Sequence, residues 1–302
     1  MVLNLFLKYH WVDSQPFTKY LAYGMKSPST ICKIQSLSLP ELQPYRTLRR
    51  SVEHRKEGIF VAEGEKVVRR LLASDLTIVS LLLTPEWHEQ LSSVDEMTAH
   101  HPPAIFIAEK KLLSTIVGYN LHQGIMAIAK VPAHRTLGEV IASLRSDHFL
   151  VALDGLVNAE NVGVVVRNCA AFGVDALIVG ETSSSPYLRR AVRNSMGTVF
   201  HLPVIHASNL PESLTILRHT YGTRIIGAHP HDQSTIYYCN FRGTVCIVLG
   251  NEGEGISKRI LDVCTERIAI PMMNATDSIN VASASAVFLY EAHKQRLAQL
   301  RT

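Results

Sequence analysis

The chain has 302 residues, 47% of them apolar and 19% charged, a balance that suits a globular protein and argues against a disordered one. At this length two domains can each bury a core. The net charge of +4 admits a nucleic-acid partner without demanding one.

No apolar stretch approaches the roughly 18 residues that a bilayer span needs, so no membrane partner is expected. Met1–Leu7 is apolar but is interrupted by Asn4 and has no charged leader, which argues against a signal peptide and for a cytoplasmic address. The five cysteines, Cys32, Cys169, Cys239, Cys246 and Cys264, are scattered without any CxxC pair. Such a set fits a reducing compartment and buried thiols better than a disulfide framework or a zinc site. No metal is expected: His229, His231 and Asp232 cluster, but beside Pro230 they read as a surface loop.

Residues 1–36 lack periodicity and are broken up by Tyr, Gly, Pro and Ser, so they read as a loosely ordered extension, with Met25 a second candidate start. Residues 37–132 read as a small α/β domain. Gly58–Ala62 reads as a strand and Glu65–Ala73 as an amphipathic helix; Leu76–Leu83, Ala104–Ile107 and Gly124–Ala129 read as further strands. Between Gln43 and Arg70 stand eight Lys/Arg against four Glu. That density fits a phosphate-tracking surface, whose contacts release counterions, and equally a salt-bridged helical face. The polar segment 130–135, which holds Pro132, reads as a linker.

Residues 133–302 alternate more cleanly. Strands are expected at Phe149–Leu153, Ala176–Val179, Ile225–Ile226, Val245–Leu249 and Ile268–Ile270. Helices are expected at Asn161–Phe172, stopped by Gly173, at Pro186–Met196, at Asn209 up to Gly222, and from Ile279 to Leu300. This alternation predicts a parallel sheet covered on both faces, with ligands at the carboxyl ends of its strands.

Three segments sit where such strands end. In Leu153–Asn168, Asn161 can cap the helix that follows, and Gly163 in its first turn costs about 1 kcal/mol against Ala, which suggests that a backbone or a ligand comes close. Arg167 lies among valines, cysteine and alanines and must snorkel or meet an anion. Asn161 and Arg167 stand roughly 120° apart on a regular helix, so they serve different parts of a site. In Ile247–Ser257, glycines let backbone approach a ligand, yet Ile256 stands where a phosphate-binding loop needs lysine and Lys258 where GxGxxG needs glycine. In Ile268–Ala282 a strand gives way to a polar loop and a long helix, with Asp277 or Ser278 as N-cap and Asn280 just inside the helix.

Taken in this order, Asn161 with Arg167, the LGNEGEGIS stretch, IPM followed by SIN, and Arg189–Gly197 closely resemble the SPOUT superfamily, in its SpoU/TrmH branch of RNA ribose 2'-O-methyltransferases. The resemblance covers residues 148–298. Phe60–Lys66 and His122–Gly124 resemble, more weakly, the substrate-binding domain that precedes it. Two departures stand out: Ala159-Glu160 precede Asn161 where the family often has Asp-Pro, and Ile279 replaces a frequent leucine.

The resemblance implies a knotted (trefoil) parallel-sheet methyltransferase domain preceded by a small α/β RNA-binding domain. It also implies a homodimer and S-adenosylmethionine as cofactor. Main-chain groups near Leu249, Gly250, Ile270, Met272 and Ile279 would hold that cofactor, and Arg167, Asn161, Glu252, Ser278 and Asn280 would line the catalytic site. A guanidinium keeps its proton, so Arg167 is read as gripping a phosphate beside the acceptor, with Glu252 holding Arg167 and Asn161 in register. The RNA, a rRNA or tRNA, would meet Arg49, Arg50, Arg55, Lys56 and Arg69. A base-methylating SPOUT enzyme and a non-catalytic RNA-binding protein stand as alternatives.

Overall fold

The computed structural model describes residues 31–92, 103–117, 124–230, 232–274 and 276–299. Met25, His122, Gln123, His231 and Leu300 lie outside the described residues. The chain divides into two compact units, with the boundary between Val131 and Pro132.

The first unit runs β1 (Ile31–Lys33), α1 (Gln43–Arg46), α2 (Ser51–Lys56), β2 (Ile59–Glu63), α3 (Glu65–Leu72), β3 (Ile78–Leu83), α4 (Pro85–Ser92), β4 (Ala104–Ile107), α5 (Lys110–Val117) and β5 (Ile125–Lys130). Its sheet has the order β1-β4-β3-β5-β2. β1, β4 and β3 are parallel neighbours, while β5 runs antiparallel to both β3 and β2. The core gathers Tyr45, Leu82, Phe106, Leu113 and Met126. The Tyr45 hydroxyl enters this core because it donates to the Ser80 carbonyl at 3.0 Å and meets Ser80 Oγ at 2.9 Å. Ile31–Lys33, which the sequence reading places in the extension, is an edge strand here. Three residues are too few to display an alternating pattern.

The second unit runs α6 (Leu137–Ala142), β6 (Phe149–Leu153), α7 (Ala159–Ala171), β7 (Ala176–Val179), α8 (Arg189–Asn194), β8 (Val204–His206), α9 (Leu210–Tyr221), β9 (Arg224–Ala228), β10 (Val245–Leu249), α10 (Lys258–Leu261), β11 (Glu266–Ile268) and α11 (Val281–Gln299). All six strands are parallel, in the order β11-β9-β10-β6-β7-β8. Every residue of β6, β7 and β10 is buried, as expected for a sheet covered on both faces. Leu150, Ile178 and Val248 pack against Leu214 and Leu217 of α9, and each such side chain contributes about 1.5–3 kcal/mol by leaving water. At the foot of β6, His148 is 3% exposed and meets Thr223 Oγ1 at 2.8 Å through Nε2.

The segment expected to be linker holds α6 directly after it, opened by a reciprocal Thr136–Glu139 capping box. α8 begins at Arg189 rather than Pro186, because Ser185 accepts from the amides of Tyr187 and Leu188 and keeps Pro186–Leu188 in a turn. β11 ends at Ile268, two residues earlier than expected. Beyond it, Ala269 pairs with Ser234 and Ile236 of the loop after β9, and Pro271 removes a donor.

β6 starts a run to one side through β7 and β8, whereas β9 and β10 return on its other side. Such a reversal opens a crevice at the carboxyl ends of the strands. The loops after β6, β10 and β11, which carry the three motifs, all emerge at that edge.

Candidate active site

A cavity of about 710 Å³ lies there. It holds all five residues expected to bind a cofactor: Leu249, Gly250, Ile270, Met272 and Ile279. Ile270 and Met272 contribute from irregular chain rather than from a strand. Of the expected catalytic residues, Glu252, Ser278 and Asn280 also line it.

The glycine loop after β10 folds back on itself. Asn251 and Gly255 exchange both backbone hydrogen bonds, at 2.9 and 3.0 Å. Gly250 is obligatory for this, because a Cβ there would stand 2.3 Å from the Gly255 carbonyl carbon and 2.4 Å from Ile256 N. Asn251 organises the turn: its Oδ1 accepts from Gly253 N at 2.8 Å and Glu254 N at 3.1 Å. Its Nδ2 donates to the Gly155 carbonyl at 2.7 Å, tying this loop to the one after β6. Asp154 adds a second tie by accepting from Ser257 N at 2.7 Å. The sequence reading missed Asn251 and Asp154; an asparagine directly after a strand and before glycines is a turn-forming signal that could have marked the first.

Asn161 does not cap α7. Asn158 does, accepting from Glu160 N at 2.8 Å and Asn161 N at 3.3 Å, so the helix starts at Ala159. The Asn161 side chain is thereby free to turn outward, and its Nδ2 donates to Glu252 Oε1 at 2.8 Å. Asn280, expected just inside the last helix with Asp277 or Ser278 capping, is instead the residue whose Oδ1 accepts from Ala282 N at 2.8 Å, ahead of Val281. Its Nδ2 meanwhile reaches Asn161 Oδ1 at 3.4 Å. Glu252, Asn161 and Asn280 thus form one connected chain of hydrogen bonds at the cavity mouth. Asn168, one of the residues the sequence reading passed over, fixes α7 to α11 by donating to the Ala282 carbonyl at 3.0 Å and Ser285 Oγ at 2.8 Å.

Gly163 is explained by a neighbouring backbone rather than by a ligand. A Cβ there would stand 2.4 Å from the Ala191 carbonyl oxygen and 2.7 Å from Asn194 Cβ, so α7 and α8 cross with nothing between them. Arg167 leaves the same helix one turn later. It neither snorkels nor sits in a salt bridge: the residue is exposed, and among the described residues its guanidinium has no hydrogen-bond or ion-pair partner. Glu252 therefore takes Asn161 but not Arg167. Val165, Val166 and Cys169 are buried, while Arg167 shares the outer stripe with Glu160, Val164 and Ala171.

In the first unit, Arg49, Arg50, Arg55 and Lys56 are exposed on and beside α2. Arg50 pairs with Glu53 at 3.1 Å. Arg69 is committed locally, 3.1 Å from Glu65 and stacked 5.8 Å from the Trp87 ring centre. The five cysteines are free thiols, and among the described residues no three His, Cys, Asp or Glu side chains gather as a metal site requires. Among the same residues no helix is long and apolar enough to cross a membrane.

The fold and cavity together define an α/β enzyme that seats a small ligand at the switch point of a parallel sheet, with amide and carboxylate groups at its mouth. Comparison with known proteins narrows this class. The profile of the SpoU rRNA Methylase family matches residues 148–290, and that of the RNA 2'-O ribose methyltransferase substrate-binding domain matches residues 61–134. The chain is 30% identical over 265 residues to a Mycobacterium bovis protein named as an uncharacterized tRNA/rRNA methyltransferase, covering 83% of this chain and 88% of the other. It is 34% identical over 181 residues to the 23S rRNA (guanosine-2'-O-)-methyltransferase of Vibrio vulnificus, covering 59% of this chain and 72% of that one. The fold matches the AdoMet-bound rRNA methyltransferase of Sinorhizobium meliloti with a TM-score of 0.76 at 23% identity, over 87% of this chain and 98% of that one. It also matches the SpoU methyltransferase AviRb of Streptomyces viridochromogenes, with a TM-score of 0.73 at 24% identity, over 85% and 97% of the two chains. The chain belongs to the SpoU rRNA methylase family.

Proposed function

We infer that this protein transfers a methyl group from S-adenosylmethionine to a ribose 2'-hydroxyl of structured RNA, either rRNA or tRNA. The observation that carries the reading is the single cavity edge where the glycine loop, the Ile270–Asn280 loop and the Glu252–Asn161–Asn280 chain converge.

The cavity fits the cofactor in size and chemistry. Leu249, Ile270, Ile279 and Phe288 offer apolar walls, the loops offer main-chain donors and acceptors, and Glu252, Glu254 and Asp277 offer negative charge. When bound, S-adenosylmethionine supplies a methyl group activated by a positively charged sulfur. The chain's own residues do the rest. The Gly250–Ile256 turn and the loop from Ile270 to Asn280 fix the donor. Arg167 grips the phosphate next to the acceptor and aligns its hydroxyl, and the guanidinium charge favours the alkoxide form as the hydroxyl proton passes to solvent water. Glu252 and Asn280 hold Asn161 at the mouth, and Ser278 lines it. Positioning of this kind supplies much of the acceleration of an in-line transfer.

The first unit selects RNA by shape and phosphate contacts through Arg49, Arg55 and Lys56, with Arg50 and Arg69 adding charge from within their ion pairs. The active form is a homodimer. Supporting this, α11 carries an exposed apolar stripe of Val287, Tyr290 and Leu297, which are 39%, 57% and 41% exposed. The family's trefoil knot around the cofactor site and a cytoplasmic location complete the reading.

The test is calorimetry of the purified protein with S-adenosylmethionine, followed by digestion of RNA methylated in vitro. Uptake of the donor and a 2'-O-methylnucleoside in the digest are expected. A base-methylated product, or no donor uptake even with RNA present, refutes the reading.

A further inference from the structure

Arg189–Gly197 is set apart by the sequence, yet the site as described uses none of its charges. Its helix, α8, crosses α7 at Gly163, where Ala191 and Asn194 press against the glycine. Arg190 stands beside Glu160 at the start of α7, in a loose pair of 3.7 Å with side chains 76% and 57% exposed. Arg193 is three residues further on the same helix, exposed, and without a hydrogen-bond or ion-pair partner among the described residues. Residues three apart on a helix are surface neighbours. The crossing at Gly163 sets α8 against α7, with Arg190 beside Glu160 on the outer stripe that Arg167 continues two turns further on, and Arg193 exposed on the same short helix. Arg167, Arg190 and Arg193 are all exposed, and among the described residues the one carboxylate paired with any of them is Glu160, 3.7 Å from Arg190.

We propose that Arg190 and Arg193 of α8 contact the phosphates flanking the target nucleotide, extending from Arg167 the track along which RNA reaches the cavity. The proposal rests on the methyl-transfer reading and names where in the catalytic unit its substrate's backbone lies. Guanidinium groups suit the task because their planar fork meets phosphate oxygens in pairs. At Gly163, α8 packs directly against the α7 backbone, with no room for a Cβ between them.

The experiment compares the full chain, its R190Q/R193Q variant, and R242Q as a control at the amino end of β10, opposite the site. Binding of a short, fluorescently labelled single-stranded RNA is measured across a salt series. Methyl transfer to total RNA from cells lacking the protein is measured alongside. Each lost phosphate contact should flatten the slope of log K against log salt by about 0.7, so the double variant should lose about 1.4 and bind roughly ten-fold more weakly. KM for RNA should rise to the same extent as the loss of binding while kcat stays within about two-fold of wild type, and S-adenosylmethionine affinity and R242Q stay at the wild-type level. A double variant with unchanged salt slope and KM, in a preparation whose wild type methylates normally, overturns the proposal and leaves the methyl-transfer reading intact. A fall in kcat alone, or an equal loss in R242Q, also overturns it. A wild type that takes up no donor and modifies no RNA removes the underlying reading, and the proposal with it.

Discussion

Replacing Gly250 by alanine tests whether the glycine turn, rather than its sequence, makes the cavity. The added Cβ would lie 2.3–2.5 Å from the carbonyl carbon and oxygen of Gly255 and from Ile256 N, all main-chain atoms that no rotamer change can move aside. Overpacking of this kind costs about 1–3 kcal/mol. The turn can relieve the clash by opening the Asn251–Gly255 pair, which forfeits two hydrogen bonds at about 0.5–1.5 kcal/mol each. The two routes give the same order of loss. Spent wholly on the cavity, about 1–3 kcal/mol weakens donor binding roughly 5- to 150-fold. Spent wholly on folding, it lowers the melting temperature by several degrees. Gly253 provides the internal control: its added Cβ would meet only Asn251 Oδ1, at an ordinary 3.5 Å. Isothermal calorimetry with S-adenosylmethionine and thermal melts on both variants decide the matter. If G250A keeps both affinity and melting temperature, or if G253A does equal damage, the account of the turn is wrong.

Arg167→Ala should leave donor affinity within about two-fold, because Arg167 does not line the cavity, yet slow transfer about 10²–10³-fold, the usual loss when a charged group aimed at the reacting centre is removed; single-turnover rates measure this, and normal turnover removes Arg167 from the mechanism. Gly163→Ala should gain about 1 kcal/mol of helix propensity and lose about 1–3 through collision with Ala191, a net change between about zero and a loss of about 2 kcal/mol, read by chemical denaturation; a stabilised variant contradicts the tight crossing. Burial holds the His148 imidazole below its ordinary value of 6.5. The unfolded chain therefore takes up that proton first, so stability is full above about 6.5 and declines as pH falls from there towards the lower folded value. In His148→Gln, whose amide can still meet Thr223, the decline over that window should be shallower than in the wild type; parallel curves would assign the pH dependence to other groups.

Long, strongly patterned elements were legible in the sequence because burial on both faces writes itself as an unbroken apolar run, as in Phe149–Leu153 and Val245–Leu249. β1 and β8 were not, since three residues at a sheet edge carry no period. Within the site, the five residues that the family resemblance, rather than any period or spacing, assigns to a cofactor all line the cavity. The asparagines were harder. Three of them, Asn158, Asn161 and Asn280, sit within reach of a helix start, and composition alone cannot say which accepts the helix amides. Only the fold assigns capping to Asn158 and Asn280 and frees Asn161 for Glu252. Arg167 stands among apolar residues in sequence, but helical geometry turns Val165, Val166 and Cys169 to the core and Arg167 to solvent, so it has no need to snorkel.

The hydrogen bonds from Glu252 through Asn161 to Asn280 join a wall of the donor cavity to the helix that presents Arg167. A ligand that stiffened this shared link would leave the second ligand less ordering to do. Linkage requires the two enhancements to be equal: the factor by which RNA tightens the donor is the factor by which the donor tightens RNA. Substrate order would then be a matter of cellular concentrations rather than of an obligate sequence.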